Sequence, residues 1–356
     1  MIKNIIKKQM KKAGFVRALE MENEKLKIQI KKLEVEKKNL EIEKLKVTED
    51  NIKIIKENEK FRTVPDFKDL KLALKGKEGY LFLVNDSNNE IRQHFDQSYI
   101  NNFNPSYFTE ILKHKGEYCK NKNIEYFFFI MPDKSYICRN LLPFNIKLIK
   151  RNYDLIKHLV PDFSEKLDHT CYFNTDSHIH YLGGKEISYH ILNYINNNFE
   201  REDFNKLIDE QILIESQEWP SDLVSPDNWS YSEEERVKYG NEETVTLFNK
   251  YREDLKDNLP EKFRFVGIRE TEYYLNENAF VDLKALILRD SSTNLLKDVL
   301  SSYFKETLLY WDHWKFNKEL IDWYKPDIIL EIRTERFLEG MESIHQKIDE
   351  DTNKVD

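Results

Sequence analysis

From Leu19 onward an apolar residue recurs every seven positions, at Leu19, Leu26, Leu33, Leu40, Val47 and Ile54. Helices that keep a strict seven-residue repeat wind into a left-handed coiled coil. The companion seam is mostly polar, with Asn23, Ile30, Lys37, Lys44 and Asn51. Asn at such a position fixes register and oligomer state at a cost in stability. Residues 1–60 therefore read as a long coiled-coil helix through which the chain self-associates. The rival is a single charge-laced helix packed on its own domain.

Pro65 closes that helix and the pattern changes. Gly76 and Gly79 bracket a turn into an apolar run at Tyr80–Val84, a strand. Pro105 to Cys119 reads as a helix that starts near the proline. Ile124 to Met131 is almost unbroken in its apolarity and stops at Pro132, as strands buried on both faces of a parallel sheet do. Gly184 to Asn197 carries Ile187, Ile191, Tyr194 and Ile195 at helical spacing. Residues 198–280 are polar, with a Glu-rich helix expected near 232–258, and read as an insertion or lid without assigned chemistry. Beyond them, Leu283–Leu288, a helix marked by Leu295 to Phe304, Thr307–Trp311, a helix at Phe316–Tyr324 and Asp327–Ile332 spell β-α-β-α-β. Short connections of this kind make a parallel sheet covered by helices.

Composition narrows the class of protein. Of 356 residues, 22 are Phe and 19 Tyr, enough for a substantial core despite 34% charged residues. Residues 1–60 hold 17 Lys/Arg against 11 Asp/Glu, so the remainder carries −14 of the overall −8. An acidic body argues against nucleic acid, whose phosphates need a basic face. Cys119, Cys138 and Cys171 form no CxxC pair, so neither a disulfide framework nor a zinc site is expected. No run of ~18 apolar residues could span a bilayer. The basic start, Met1 to Leu19, lacks the apolar stretch of a signal peptide, which points to the cytoplasm. Its irregular stripe of Ile2, Ile5, Ile6, Met10 and Phe15 gives only weak support for contact with an anionic membrane surface.

In parallel sheets, sites form at the carboxyl ends of strands. Asp133, Asp176, His178 and Ser291 all fall just past an apolar run that reads as a strand. Ser291, between a strand and a helix, suits an exposed nucleophile whose helix-start N–H groups stabilise an oxyanion; capping by Ser291, Ser292, Thr293 or Asn294 is the rival. Asp176 and His178, two apart in an extended segment, would share a side as orienter and base, or sit in a surface turn. His180 continues that parity as a spare base or a partner of His178 on a metal, but no further ligand clusters there and no metal is expected. Asp133 and Lys134 close the most hydrophobic strand and are candidate substrate contacts, against an ordinary exposed turn. Arg336, after the last strand, is another; an ion pair steadying the loop competes. Trp311 and Trp314 could stack on sugars or belong to the core. His94, His114 and His313 are scattered and read as structural.

Taken in order, these segments resemble a family. Gly76-Lys77-Glu78-Gly79-Tyr80-Leu81-Phe82, Ile130-Met131-Pro132-Asp133-Lys134, Thr175-Asp176-Ser177-His178, Leu288-Arg289-Asp290-Ser291 and Lys325-Pro326-Asp327-Ile328-Ile329 with Glu335-Arg336 resemble motifs of the SGNH-like group related to alginate O-acetyltransferases. Ile179 and Ser292 depart from it, where relatives often carry Trp and Phe. The resemblance implies an SGNH-like three-layer α/β domain, placed here over 61–345; residues 346–356 read as a disordered tail. It implies a Ser291–His178–Asp176 triad that passes an acetyl group through a Ser291 ester to a hydroxyl of a bacterial polysaccharide or its precursor. No bound cofactor is required, and acetyl-CoA is the donor available in the cytosol. A carbohydrate esterase with the same triad is the rival enzyme, and a coiled-coil scaffold in glycan assembly the non-enzymatic one.

Overall fold

Alternate residues of the central strands pack into different apolar clusters, so both faces of one sheet are covered. In the strand Val281–Arg289, Ala285 and Ile287 join one cluster, whereas Leu286 and Leu288 join another. Ile328, Leu330 and Ile332 of the strand Ile328–Thr334 share the first cluster and Ile329 the second. A strand buried on both sides needs apolar residues on each face, which is why Ala285–Leu288 and Ile328–Leu330 are unbroken apolar runs; the buried Glu331 and Arg333 that follow are paired with Lys115 and Asp312.

The computed structural model describes residues 64–340 apart from 100–102, 146–147, 241 and 313–314, together with helical residues 27, 31–33 and 37–38. The chain divides into two units, Met1–Arg62 and Thr63–Asp356, and the features below belong to the second. Apart from those few helical positions, the expected coiled coil over 1–60 lies outside the described residues, as does the tail at 346–356. None of the described helices is long and apolar enough to cross a membrane.

In chain order the elements are β1 (Ala73–Lys75), β2 (Leu81–Leu83), α1 (Glu90–Phe95), α2 (Pro105–Lys120), β3 (Glu125–Met131), α3 (Lys134–Ile137), α4 (Tyr181–Ile195), α5 (Arg201–Gln211), β4 (Ile212–Trp219), α6 (Glu233–Tyr239), β5 (Glu242–Asn249), β6 (Glu253–Asp254), β7 (Glu272–Leu275), β8 (Val281–Arg289), α7 (Lys297–Tyr303), β9 (Phe304–Tyr310), α8 (Lys318–Tyr324) and β10 (Ile328–Thr334). The main sheet runs β3-β10-β8-β9-β7-β6. Its first four strands are mutually parallel, and β7 and β6 add antiparallel at one edge. The expected mixed α/β architecture with a mostly parallel sheet is thus present. Helices α4, α5 and α7 contribute to the first cluster, α2 and α8 to the clusters on the opposite face.

Local chemistry explains most boundaries. Asn104 accepts from the N–H groups of Ser106 and Tyr107, so α2 starts at Pro105, where a missing N–H costs nothing. Ser232 and Glu235 form a capping box at the start of α6. That helix does not run on to 258 as expected. Gly240 ends it at φ +48, and the β-branched run Thr244-Val245-Thr246 continues as β5, paired antiparallel with β4. Phe304, expected in a helix, opens β9, because its side chain fills the core from the sheet. The polar 198–280 segment supplies α5, α6, the β4–β5 ribbon and the edge strands β6 and β7.

Two glycines draw the carriers of the candidate residues together. A Cβ on Gly183 would stand 2.4 Å from the Cys171 carbonyl oxygen, and one on Gly184 2.4 Å from that of Leu295. Without side chains there, the first turn of α4 closes simultaneously on the segment before Asp176 and on the turn after Ser291.

Candidate active site

Ser291 opens a 3-10 turn, Ser291–Leu295, directly after β8. Capping falls to Asp290. Its carboxylate accepts from the Ser292 N–H (2.9 Å) and hydroxyl, and from the Thr334 N–H (2.7 Å) at the end of β10. The Ser291 hydroxyl is therefore not the cap. Its Oγ lies 2.9 Å from Nε2 of His178. The expectation that the helix-start N–H groups stand open for an oxyanion needs correction at Ser292, whose N–H is taken by Asp290.

Nδ1 of His178 lies 2.7 Å from Oδ1 of Asp176. An ionised carboxylate can only accept, which places the imidazole proton on Nδ1 and leaves Nε2 to accept from Ser291. The peptide Thr175-Asp176-Ser177-His178 is not a strand end, contrary to the sequence expectation. It is a loop closed by the isolated antiparallel bridge Tyr172–Ile179, in which Asp176 Oδ1 also accepts the His178 N–H at 2.9 Å. Asp and Ser side chains that bond nearby backbone prefer such turns to extended pairing.

The polar 198–280 segment holds this loop. The indole of Trp219 donates to Asp176 Oδ2 (3.1 Å), as does the N–H of Asp222 (2.9 Å). Ser221 donates its hydroxyl to the Thr175 carbonyl. Asp222 in turn accepts the Ser177 N–H (2.9 Å) and hydroxyl (2.5 Å). Glu242, at the start of β5, accepts the N–H groups of Asn174 (3.0 Å) and Thr175 (3.1 Å). Asp176 thus receives four donors. Burial alone would push its carboxyl up; the bond from His178, its charge and the two backbone N–H groups overcome that and hold it well below the usual range. Burial likewise opposes a charge on His178, and its bond to Asp176 outweighs this and raises it.

The remaining candidate residues surround this relay differently from expectation. Lys134 does not face a substrate: it is 2% exposed, and its ammonium donates to the carbonyls of Leu81 (2.6 Å), Asn174 (3.0 Å) and Asp176 (2.9 Å). It clamps β2 to the loop that carries the imidazole. Arg336 is buried between Glu90 and Asp133 as an ion pair with each, which is the loop-steadying alternative rather than the substrate contact. Asp133 also meets His94 Nε2 at 3.2 Å, so its carboxylate is spent inside the protein. His180 points to Thr244, whose Oγ1 lies 2.8 Å from its Nε2, and joins neither Ser291 nor a metal-ligand group. Glu335 pairs with Arg151.

Among the described residues, the one group with metal-ligand character is Asp176, His178 and Asp222, whose ligand atoms lie within 4.8 Å of one another. Those atoms are engaged with one another and with Ser177, Trp219 and backbone N–H groups, so the set closes on itself as a hydrogen-bonded cage. A cavity of about 10 Å³, room for one water, touches His178, Ser292 and Arg336. One of about 230 Å³ is walled by Trp219, Phe248, Arg252, Asn294, Leu295 and Lys297, from the β4–β5 ribbon and the elements that follow Ser291. A cavity of about 470 Å³ along α2 shares no residue with the site.

Trp219, Asp222, Ser177 and Glu242 went unnoticed as site residues in the sequence. A Trp-Pro pair and scattered acids in a polar stretch carry no spacing that ties them to a loop 40 residues earlier.

No protein-family model matches the chain, and no curated protein does. Solved structures do share its fold. PatB1 of Bacillus cereus superposes with a TM-score of 0.51 at 14% identity, covering 75% of this chain and 97% of that one. A DHHW family protein from Eubacterium siraeum gives 0.51 at 14%, covering 77% and 98%. The O-acetyltransferase domain of Pseudomonas putida AlgJ is a looser likeness, 0.47 at 11%, covering 80% and 99%, and adds nothing to the fold assignment.

Proposed function

We propose that this chain is an SGNH-type acyltransferase in which Ser291 carries the acyl group, His178 moves the proton and Asp176 orients His178. One observation carries the reading: an unbroken relay from Ser291 Oγ through both ring nitrogens of His178 to a saturated, ionised carboxylate. In the first half-reaction Ser291 Oγ attacks the acyl carbonyl of the donor while His178 Nε2 takes the hydroxyl proton. Collapse of the tetrahedral intermediate expels the leaving group, which receives that proton from His178, and leaves an ester on Ser291. In the second, His178 removes the proton from an acceptor hydroxyl, whose oxygen attacks the ester, and returns it to Ser291 as the hydroxyl is regenerated.

The motif order supports acetyl as the acyl group and a polysaccharide, or its precursor, as acceptor. We assign the acceptor to the cavity walled by Trp219, which donates to Asp176, and by Asn294, in the turn that Ser291 opens. Acetyl-CoA is the donor we assign, with no metal and no bound cofactor in the step. Intact-mass measurement after exposure to acetyl-CoA or an activated acetyl ester tests this. Addition of one acetyl to the wild type and not to Ser291→Ala is expected; equal labelling of both, or none with any donor, overturns it. Release of free acetate at the same rate with and without glycan would assign water as the acceptor and make the protein an esterase.

A further inference from the structure

We propose that Asp222 is a positioning residue for His178: a second carboxylate, linked through Ser177, that steadies the imidazolium formed when Ser291 gives up its proton. The inference rests on the roles assigned above to Ser291, His178 and Asp176.

Asp222 Oδ2 lies 3.8 Å from His178 Nδ1, on the edge of the ring that Asp176 already engages. Between them stands Ser177. Its hydroxyl donates to Asp222 Oδ2 at 2.5 Å, and its oxygen lies 3.4 Å from Nδ1. The proton on Nδ1 therefore faces one carboxylate directly and a second across a hydroxyl whose own proton is already committed. The two acids are themselves joined, because the Asp222 N–H donates to Asp176 Oδ2. Asp176 cannot add more: each of its oxygens already takes two donors.

The charged and titratable groups about the ring come from several elements. Asp176 comes from its own loop, with the neutral Ser177 hydroxyl beside it, and Asp222 from the segment after β4. Asp133 and Lys134 after β3, Tyr172 before the loop and Arg336 after β10 share with it the small cavity beside the ring. Both Asp176 and Asp222 favour the imidazolium, and Arg336 opposes it. A neutral base at rest that becomes a cation in the transition state gains more from a fixed second carboxylate than the ground state does, which is how an arrangement accelerates a step.

The test is a histidine-ring NMR titration of the full chain, with the His178 signal identified by its loss in His178→Gln. Asp222→Asn is expected to lower the His178 pKa by about one unit, while Asp222→Glu, which keeps the charge, restores most of it. An unchanged pKa in Asp222→Asn overturns the proposal. So does an equal fall in both variants, which would make Asp222 a brace for Ser177 only. Should Asp222→Asn fail to fold, Ser177→Ala removes the hydroxyl that links Asp222 to the ring; a His178 pKa below that of the wild type supports the proposal and an unchanged one overturns it. The titration needs no substrate. A missing acetyl-enzyme would therefore sink the reading of Ser291 while leaving this result standing, and the reverse holds equally.

Discussion

His178 Nε2 lies 2.9 Å from Ser291 Oγ although 113 residues separate them. The contact depends on carriers that share no local sequence signal: a loop pinned by the segment after β4 and a turn capped by Asp290. Removing any one member of the relay should cost activity well beyond its effect on stability. Ser291→Ala is expected to abolish acetyl-enzyme formation and to reduce turnover of an activated acetyl ester by at least ~10³-fold. Asp176→Asn should cost about 10²–10⁴-fold by releasing the wrong tautomer of His178. Ester turnover measured beside the thermal midpoint separates these effects from unfolding, since Ser291 is only half-buried and loses a single hydrogen bond as alanine, so its midpoint should shift little.

The base must be neutral to take a proton, and His178 is raised above its ordinary value of about 6.5 because its bond to Asp176 outweighs burial. The acidic limb of a kcat/KM profile should accordingly have its midpoint above that value. A limb at or below it would contradict the relay. Asp176 sets the opposite limit for stability. Its carboxyl is depressed in the fold, so its contribution is complete above the unfolded value of about 3.9 and is lost as pH falls through the folded one. Acid unfolding of Asp176→Asn, compared with wild type, should show a flatter decline in that window.

Lys134 is expected to act on stability first. Lys134→Met keeps the length of the side chain and removes the ammonium that ties together the carbonyls of Leu81, Asn174 and Asp176, of which Asn174 keeps the Leu81 N–H. Denaturant unfolding should report a loss of about 3 kcal/mol, and the loosened loop should lower kcat more than it raises KM. A Lys134→Met protein with wild-type stability and a raised KM alone would restore the substrate-contact reading.

Gly184 and Gly116 offer a paired comparison. Alanine at Gly184 must displace the Leu295 carbonyl, and with it the turn that holds Ser291, at a cost of about 1–3 kcal/mol. Alanine at Gly116, in α2 with nothing within 4 Å of its Cβ, should stabilise by up to ~1 kcal/mol. Equal effects in urea unfolding would contradict the close approach at α4.

The strands were legible wherever burial on both faces made them continuously apolar. The buried halves of β3 and β8, Phe128–Met131 and Ala285–Leu288, show this, and their ends located Asp133 and Ser291. Boundaries failed where local chemistry competed with pattern: the acidic run after Ser232 suggested a long helix, but Gly240 and the β-branched residues beyond it made a strand. The loop at 175–178 departs from its sequence pattern for a related reason. An apolar run before Asp176 looked like a strand, and only the bonds within the loop make it a turn.

The sequence by itself determined that the chain forms a mostly parallel α/β sheet, and it singled out Asp176, His178 and Ser291, because periodicity and residue chemistry are local properties. The tertiary structure alone decided that these three meet, that Lys134, Asp133 and Arg336 are spent on internal bonds, and that the polar stretch around Trp219 and Asp222 closes over the loop. Each of those depends on which partner reaches a buried donor or acceptor first. That competition is settled by packing across distant elements, not by neighbours along the chain.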